Sequence, residues 1–128
     1  MAASKKMTYT GAAISGLASL MFLFSAFMKL KGGPELEQGM AHLGMPGRMV
    51  MPLAILEIAC TVIYLIPVTA VLGAVLLTGY LGGAICTHWR VGDPVIVQVV
   101  LGLVVWLGIY LREPRLKALL PVRTSDVR

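Results

Sequence analysis

The chain has 128 residues, 58% of them hydrophobic and only 13% charged, with a mean hydropathy of +0.85. A soluble domain is roughly 45–50% apolar and about 25% charged, so this composition leaves too little polar surface to face water. The net charge of +5 would in a soluble protein raise nucleic acid as a partner, but the bases stand at the ends of apolar runs and no nucleic-acid motif accompanies them.

Taken in chain order, Lys, Arg, Asp, Glu and His are absent from 11–28, from 68–87 and from 94–111, and 49–66 contains Glu57 alone. Each run approaches the ~20 residues that a helix needs to cross a hydrocarbon core. Backbone in lipid must satisfy its hydrogen bonds within its own segment. The pattern predicts an all-α integral membrane four-helix bundle forming one domain over 1–128, with spans at about 10–29, 48–66, 69–89 and 95–111. Lys5 and Lys6 precede the first run as they do in a signal peptide. That run exceeds the roughly 7–15 apolar residues of such a peptide, and no A-x-A site is visible, so it reads as a retained span.

The first connection, 31–47, opens on Gly32-Gly33-Pro34 and closes on Gly44-Met45-Pro46. Between them ELEQGMAHL predicts a short interfacial helix with Leu36, Met40 and Leu43 on one side. Ile66-Pro67-Val68 is short enough to make spans two and three a tight antiparallel hairpin. After the third span comes only RVGDP. The tail, 112–128, alternates basic and apolar residues and reads as a cytoplasmic anchor on anionic headgroups. The tails carry Lys5, Lys6, Arg112, Arg115, Lys117, Arg123 and Arg128, whereas the opposite side carries Lys29, Lys31, Arg48 and Arg90. Seven bases against four place both termini in the cytoplasm by the positive-inside rule.

Depth singles out the polar residues. Glu57 lies nine residues past Arg48, about 13 Å below the outer edge at the ~1.5 Å rise of a helix. A charged carboxylate there costs roughly 2.5–3.5 kcal/mol even on insertion scales, which makes intramembrane acids functional candidates. The bland alternative is a protonated Glu57 bonded to a hydroxyl. Tyr80 falls at a similar depth, ten residues before Arg90. Leu53, Glu57, Cys60, Thr61 and Tyr64 share one face of span two, and Ser15, Ser19, Phe22, Ser25 and Lys29 one face of span one. Lys29 is by default a snorkelling terminal lysine, or else a cationic rim facing Glu57. His88 stands at the interface with Thr87, Arg90 and Asp93 nearby. Gly79, Gly83 and Thr87 form a small-residue ridge of the kind that lets helices approach closely. Cys60 and Cys86 differ in depth by about 12 Å and are not expected to pair. No metal site is expected, because nothing in the sequence fixes His42 of the first loop near His88 and Asp93.

SAFMKL ending span one, LEIACTVIYLIP in span two, LLTGYLGGAICTHWRVGDP in span three and WLGIYLREPRLKALLP at the end resemble, in order and spacing, the DoxX-like family of small four-span bacterial membrane proteins. The similarity runs from about Gly11 to Pro121. Ala26 stands where many members have glycine. The resemblance implies location in the bacterial inner membrane and recurring polar positions at Lys29, Glu57, Tyr80, His88 and Arg90. The family takes its name from a subunit of a thiosulfate:quinone oxidoreductase, and other members are linked to oxidative stress, but nothing in this chain supplies a thiosulfate site or a redox centre.

Together these readings give a polar pocket open to the outer face. Glu57 and Tyr80 form its floor, and Lys29, His88 and Arg90 its rim. The expected ligand is a small molecule, with quinone the cofactor candidate, and the chain is an accessory subunit beside a redox partner. Two alternatives stay open. One is a membrane enzyme with Glu57 and His88 as catalytic acid/base residues. The other is a structural or chaperone-like partner, or a homo-oligomer packed through Gly79 and Gly83.

Overall fold

The structure is a computed structural model that describes residues 4–124; Arg128, counted above among the cytoplasmic bases, lies outside them. Its helices are α1 (Lys5–Lys31), α2 (Pro34–His42), α3 (Val50–Leu65), α4 (Ala70–Arg90) and α5 (Ile96–Arg112), and no strand occurs among the described residues. Short 3-10 turns, Gly47–Met49 and Pro67–Thr69, lead into α3 and α4, and a third, Pro114–Ala118, follows α5.

α1 starts earlier than its apolar run, because Ser4 caps it: the Ser4 hydroxyl oxygen accepts the Met7 amide at 3.2 Å. Stretches 5–31, 47–65 and 67–90 are long and apolar enough to cross a membrane. α5 is apolar apart from Gln98 and its terminal Arg112 and has 17 residues, the short end of the spanning range of about 17–25. The outward side chains of all four long helices are large and apolar, among them Leu17, Phe24, Ile55, Leu72, Val97 and Leu103. This is the surface of a membrane protein, not of a soluble bundle.

α1 packs on α3 and α5, and α4 packs on the same two, so the four helices close a ring in the order α1, α3, α4, α5. Both polar faces expected from the sequence turn inward. Ser15, Ser19 and Phe22 of α1 are buried, as are Glu57, Cys60, Thr61 and Tyr64 of α3.

One end of the ring is packed tight around Tyr64. The Tyr64 hydroxyl donates to the Val105 carbonyl at 2.7 Å, which leaves the Ser15 hydroxyl to donate to Tyr64 Oη at 2.9 Å. The Arg112 guanidinium lies 4.6 Å above the Tyr64 ring and donates to its carbonyl. Three glycines make this approach possible. A Cβ at Gly108 would sit 2.5 Å from Ser15 Oγ, one at Gly11 would sit 2.7 Å from the Arg112 amide nitrogen, and one at Gly73 would overlap the Tyr64 backbone. At Gly82 a Cβ meets nothing.

Gly73→Ala is therefore expected to destabilise the bundle by about 1–3 kcal/mol through overpacking. Gly82→Ala should be neutral or stabilise by up to roughly 1 kcal/mol through helix propensity. Reversible unfolding in mixed detergent measures both, and equal effects at the two positions would contradict the tight end described here.

Candidate functional site

At the other end the helices part. Lys29 lies one helical turn beyond Ser25, so the two stack on the inner face of α1. Lys29 Nζ donates to Ser25 Oγ at 2.7 Å and to Glu57 Oε2 at 2.8 Å, and the Ser25 hydroxyl approaches the same carboxylate oxygen at 3.4 Å. The Glu57 side chain is 2% exposed and that of Lys29 15%. Lys29 thus turns into the bundle and does not snorkel outward. By depth the two residues lie a rim and a floor apart, but a lysine stem is long enough to close that gap once it points along the axis. Thr61, one turn along from Glu57, returns its hydroxyl to the Glu57 carbonyl at 2.7 Å and takes no part in holding the carboxylate.

This pair forms part of the wall of a cavity of about 580 Å³, within the roughly 300–1,000 Å³ range of small-molecule sites. All four long helices and the first connection contribute. Lys29, Glu57, Tyr80 and His88 line it together, with Tyr80 beside the Glu57 carboxylate. Most of the rest is apolar, including Met21, Met40, Met45 and Met49. Gly79 and Gly83 also line the cavity, and a Cβ built at either meets nothing within 4 Å. The small-residue ridge of α4 therefore makes space and packs against no helix within this chain.

Arg90 is not a cavity residue. Its guanidinium donates to the Leu43 carbonyl in the first connection. His42 Nε2 meets Asp93 Oδ1 at 2.8 Å, while His88 Nδ1 meets Asp93 Oδ2 at 3.2 Å. Nothing in the spacing of the residues brings His42 to this place. The amphipathic fold of α2 does so: Met40 is buried, Leu36 and Leu43 are half-buried, and His42 is carried to the edge of α4. No group of three His, Cys, Asp or Glu suited to a metal ion occurs among the described residues. Cys60 is buried, Cys86 is exposed and both are free.

Asp93, expected from the sequence only as a polar neighbour of His88, joins both histidines. No spacing or depth signal marks a further participant. Gln98, in the otherwise apolar α5, lines the cavity with its Oε1 buried and unpartnered by protein.

The Asp93 carboxyl is held below the ordinary carboxylate range, first by the hydrogen bond from His42 and then by that from His88. A carboxyl depressed in the folded state contributes stability above its unfolded pKa of about 3.9 and loses it as pH falls through the folded value. Asp93→Asn is therefore expected to lower the melting temperature at pH 5–7, with the difference from wild type closing below about pH 4. A difference that does not vary with pH would contradict this pairing.

The ion pair predicts a double-mutant cycle. Lys29→Met strands a buried carboxylate and should cost about 3–5 kcal/mol, less whatever protonation of Glu57 recovers. Adding Glu57→Gln should restore most of that loss. Additive losses in denaturant unfolding would contradict the contact.

No curated protein and no solved structure matches this chain. The family pattern described as the DoxX-like family matches residues 13–109. That match spans most of the chain and takes in α1 from residue 13 onward, the ion pair, Tyr80, His88 and nearly all of α5: the chain belongs to the DoxX-like family.

Proposed function

We propose that this protein binds a small, electrically neutral amphipathic molecule in the cavity between its helices. The polar head would lie at Lys29, Glu57 and Tyr80, and the apolar body against Met21, Leu53, Leu56 and Leu101. The observation that carries this reading is the placement of a near-fully buried ion pair on the wall of a cavity that is otherwise apolar. A pair needed only to lock helices together would sit in the packed end of the bundle.

The charge balance narrows the ligand class. Lys29 and Glu57 neutralise one another, so a charged ligand would enter a low-dielectric space with no counter-ion. Two of the three Lys29 N–H donors are used within the protein, and one is left for a ligand acceptor. Tyr80 offers a hydroxyl and Gln98 an unpartnered carbonyl oxygen. A carbonyl-bearing ring compound with an apolar tail fits this arrangement, and quinones are one such class. We place the protein in the bacterial inner membrane with both termini cytoplasmic, on the charge bias of its tails, and beside a redox partner if the ligand is a quinone.

Purified protein in detergent is expected to gain thermal stability with a short-tailed benzoquinone or a neutral aryl ketone. The gain should be about 2.7 kcal/mol at a hundredfold excess over Kd. The pair-deleted Lys29→Met/Glu57→Gln variant should lose the gain, and a carboxylate-headed analogue should not produce it. Equal stabilisation of wild type and the double variant, or none by any neutral carbonyl compound, would refute the proposal.

A further inference from the structure

α2 lies over the cavity with little to hold it there. Met40 is its one buried residue, and Met40, Leu43 and Met45 supply the cavity wall on that side. The chain on either side of α2 is glycine with positive φ: Gly32 at +69° and Gly33 at +113° before it, Gly44 at +70° after it. A Cβ built at Gly32 or Gly33 meets nothing, so packing does not require glycine there. The backbone conformation does. A short helix with few buried contacts between such joints belongs to the low-stability part of a fold.

What fastens it is a small set of polar bonds to the far end of α4. Asp93 is fixed to α4, since its amide donates to the His88 carbonyl at 3.0 Å and its Oδ2 pairs with His88. Its Oδ1 holds His42, the last residue of α2, at 2.8 Å, and Arg90 holds the Leu43 carbonyl. A second groove of about 400 Å³ adjoins α2, with walls that include Leu36, Ala41 and Val50. Met40 and Met45 line both spaces, so two unbranched, easily repacked side chains form the partition between them.

We infer that Pro34–His42 is a hinged lid over the Glu57 cavity, with Asp93 as its catch and Met40 and Met45 as its seal. Releasing His42 from Asp93 lets α2 swing on its glycine joints and joins the cavity to the second groove. The lid's role in admitting ligand rests on the binding function proposed above, but its opening is measurable without any ligand.

The test uses the full chain in lipid nanodiscs, with Leu53→Cys on the cavity wall and Cys86→Ser to remove the exposed thiol. A cationic methanethiosulfonate cannot cross the lipid-facing sides, so its rate of reaction at position 53 reports the aqueous mouth under α2. Cys60, buried among the helices, is the internal control for general loosening. His42→Ala and, separately, Asp93→Ala are expected to speed labelling at position 53 by about tenfold, the weight of one charge-assisted hydrogen bond, with Cys60 unchanged. His42 is more than half exposed, so its variant keeps the fold even if Asp93→Ala does not. Unchanged labelling at position 53 in His42→Ala overturns the lid. Equal acceleration at position 53 and Cys60 overturns it as well, because the bonds would then brace the whole bundle. Failure of the binding proposal shows separately, as absence of ligand-induced stabilisation.

Discussion

The arrangement of this protein depends on a single ion pair held away from lipid. A charged carboxylate or ammonium alone near the middle of a bilayer costs roughly 2.5–3.5 kcal/mol even on the mildest scales. Glu57 and Lys29 meet that cost together. At 2.8 Å, with Ser25 on the same ammonium group, each supplies the counter-charge the other lacks. The requirement runs in both directions. α1 must present position 29 inward, α3 must present position 57 toward α1, and neither helix can rotate without stranding a charge. The inward faces of these two helices follow from that constraint as much as from apolar burial.

The rest of the ring divides into two unlike halves. Around Tyr64 the helices touch, because Gly11, Gly73 and Gly108 remove the side chains that would keep them apart, and every polar group of the Tyr64 hydroxyl network has a protein partner. Around Glu57 the same residue type acts in the opposite sense. Gly79 and Gly83 face open space, so the absence of side chains enlarges a cavity and brings no helix closer. Glycine in a membrane helix is thus not one signal but two, and only the neighbouring helix decides which applies.

That ambiguity explains what the sequence revealed and what it hid. The four apolar runs, the inward faces of α1 and α3, the short helix in the first connection and the sharing of one pocket by Lys29, Glu57, Tyr80 and His88 all follow from periodicity and depth. These are local properties of each helix. The contact between Lys29 and Glu57 is not local. It depends on the direction of a flexible side chain, which spacing does not fix. Arg90 was legible as an interfacial base but not as a donor to Leu43, and His42 was legible only as a loop residue. Both depend on where α2 docks, and that docking is set by one buried methionine and two half-buried leucines, too weak a pattern to assign a partner surface.

The composition of the first connection is best understood as a compromise between covering and uncovering. A connection of this length needs no helix to link α1 to α3, and an extended loop would leave the Glu57 cavity open to water. Screening of the ion pair by water would weaken it, since an effective dielectric nearer 80 than 20 reduces the attraction at contact by about fourfold. A rigid, deeply packed cover would protect the pair but close the site. α2 avoids both outcomes. Its apolar side excludes water from the carboxylate, its attachment is through polar groups that water readily replaces, and its joints are glycines. The same stretch meets both requirements, with the polar fastening at the exposed edge of α2 and Met40 and Met45 on the side of the cavity.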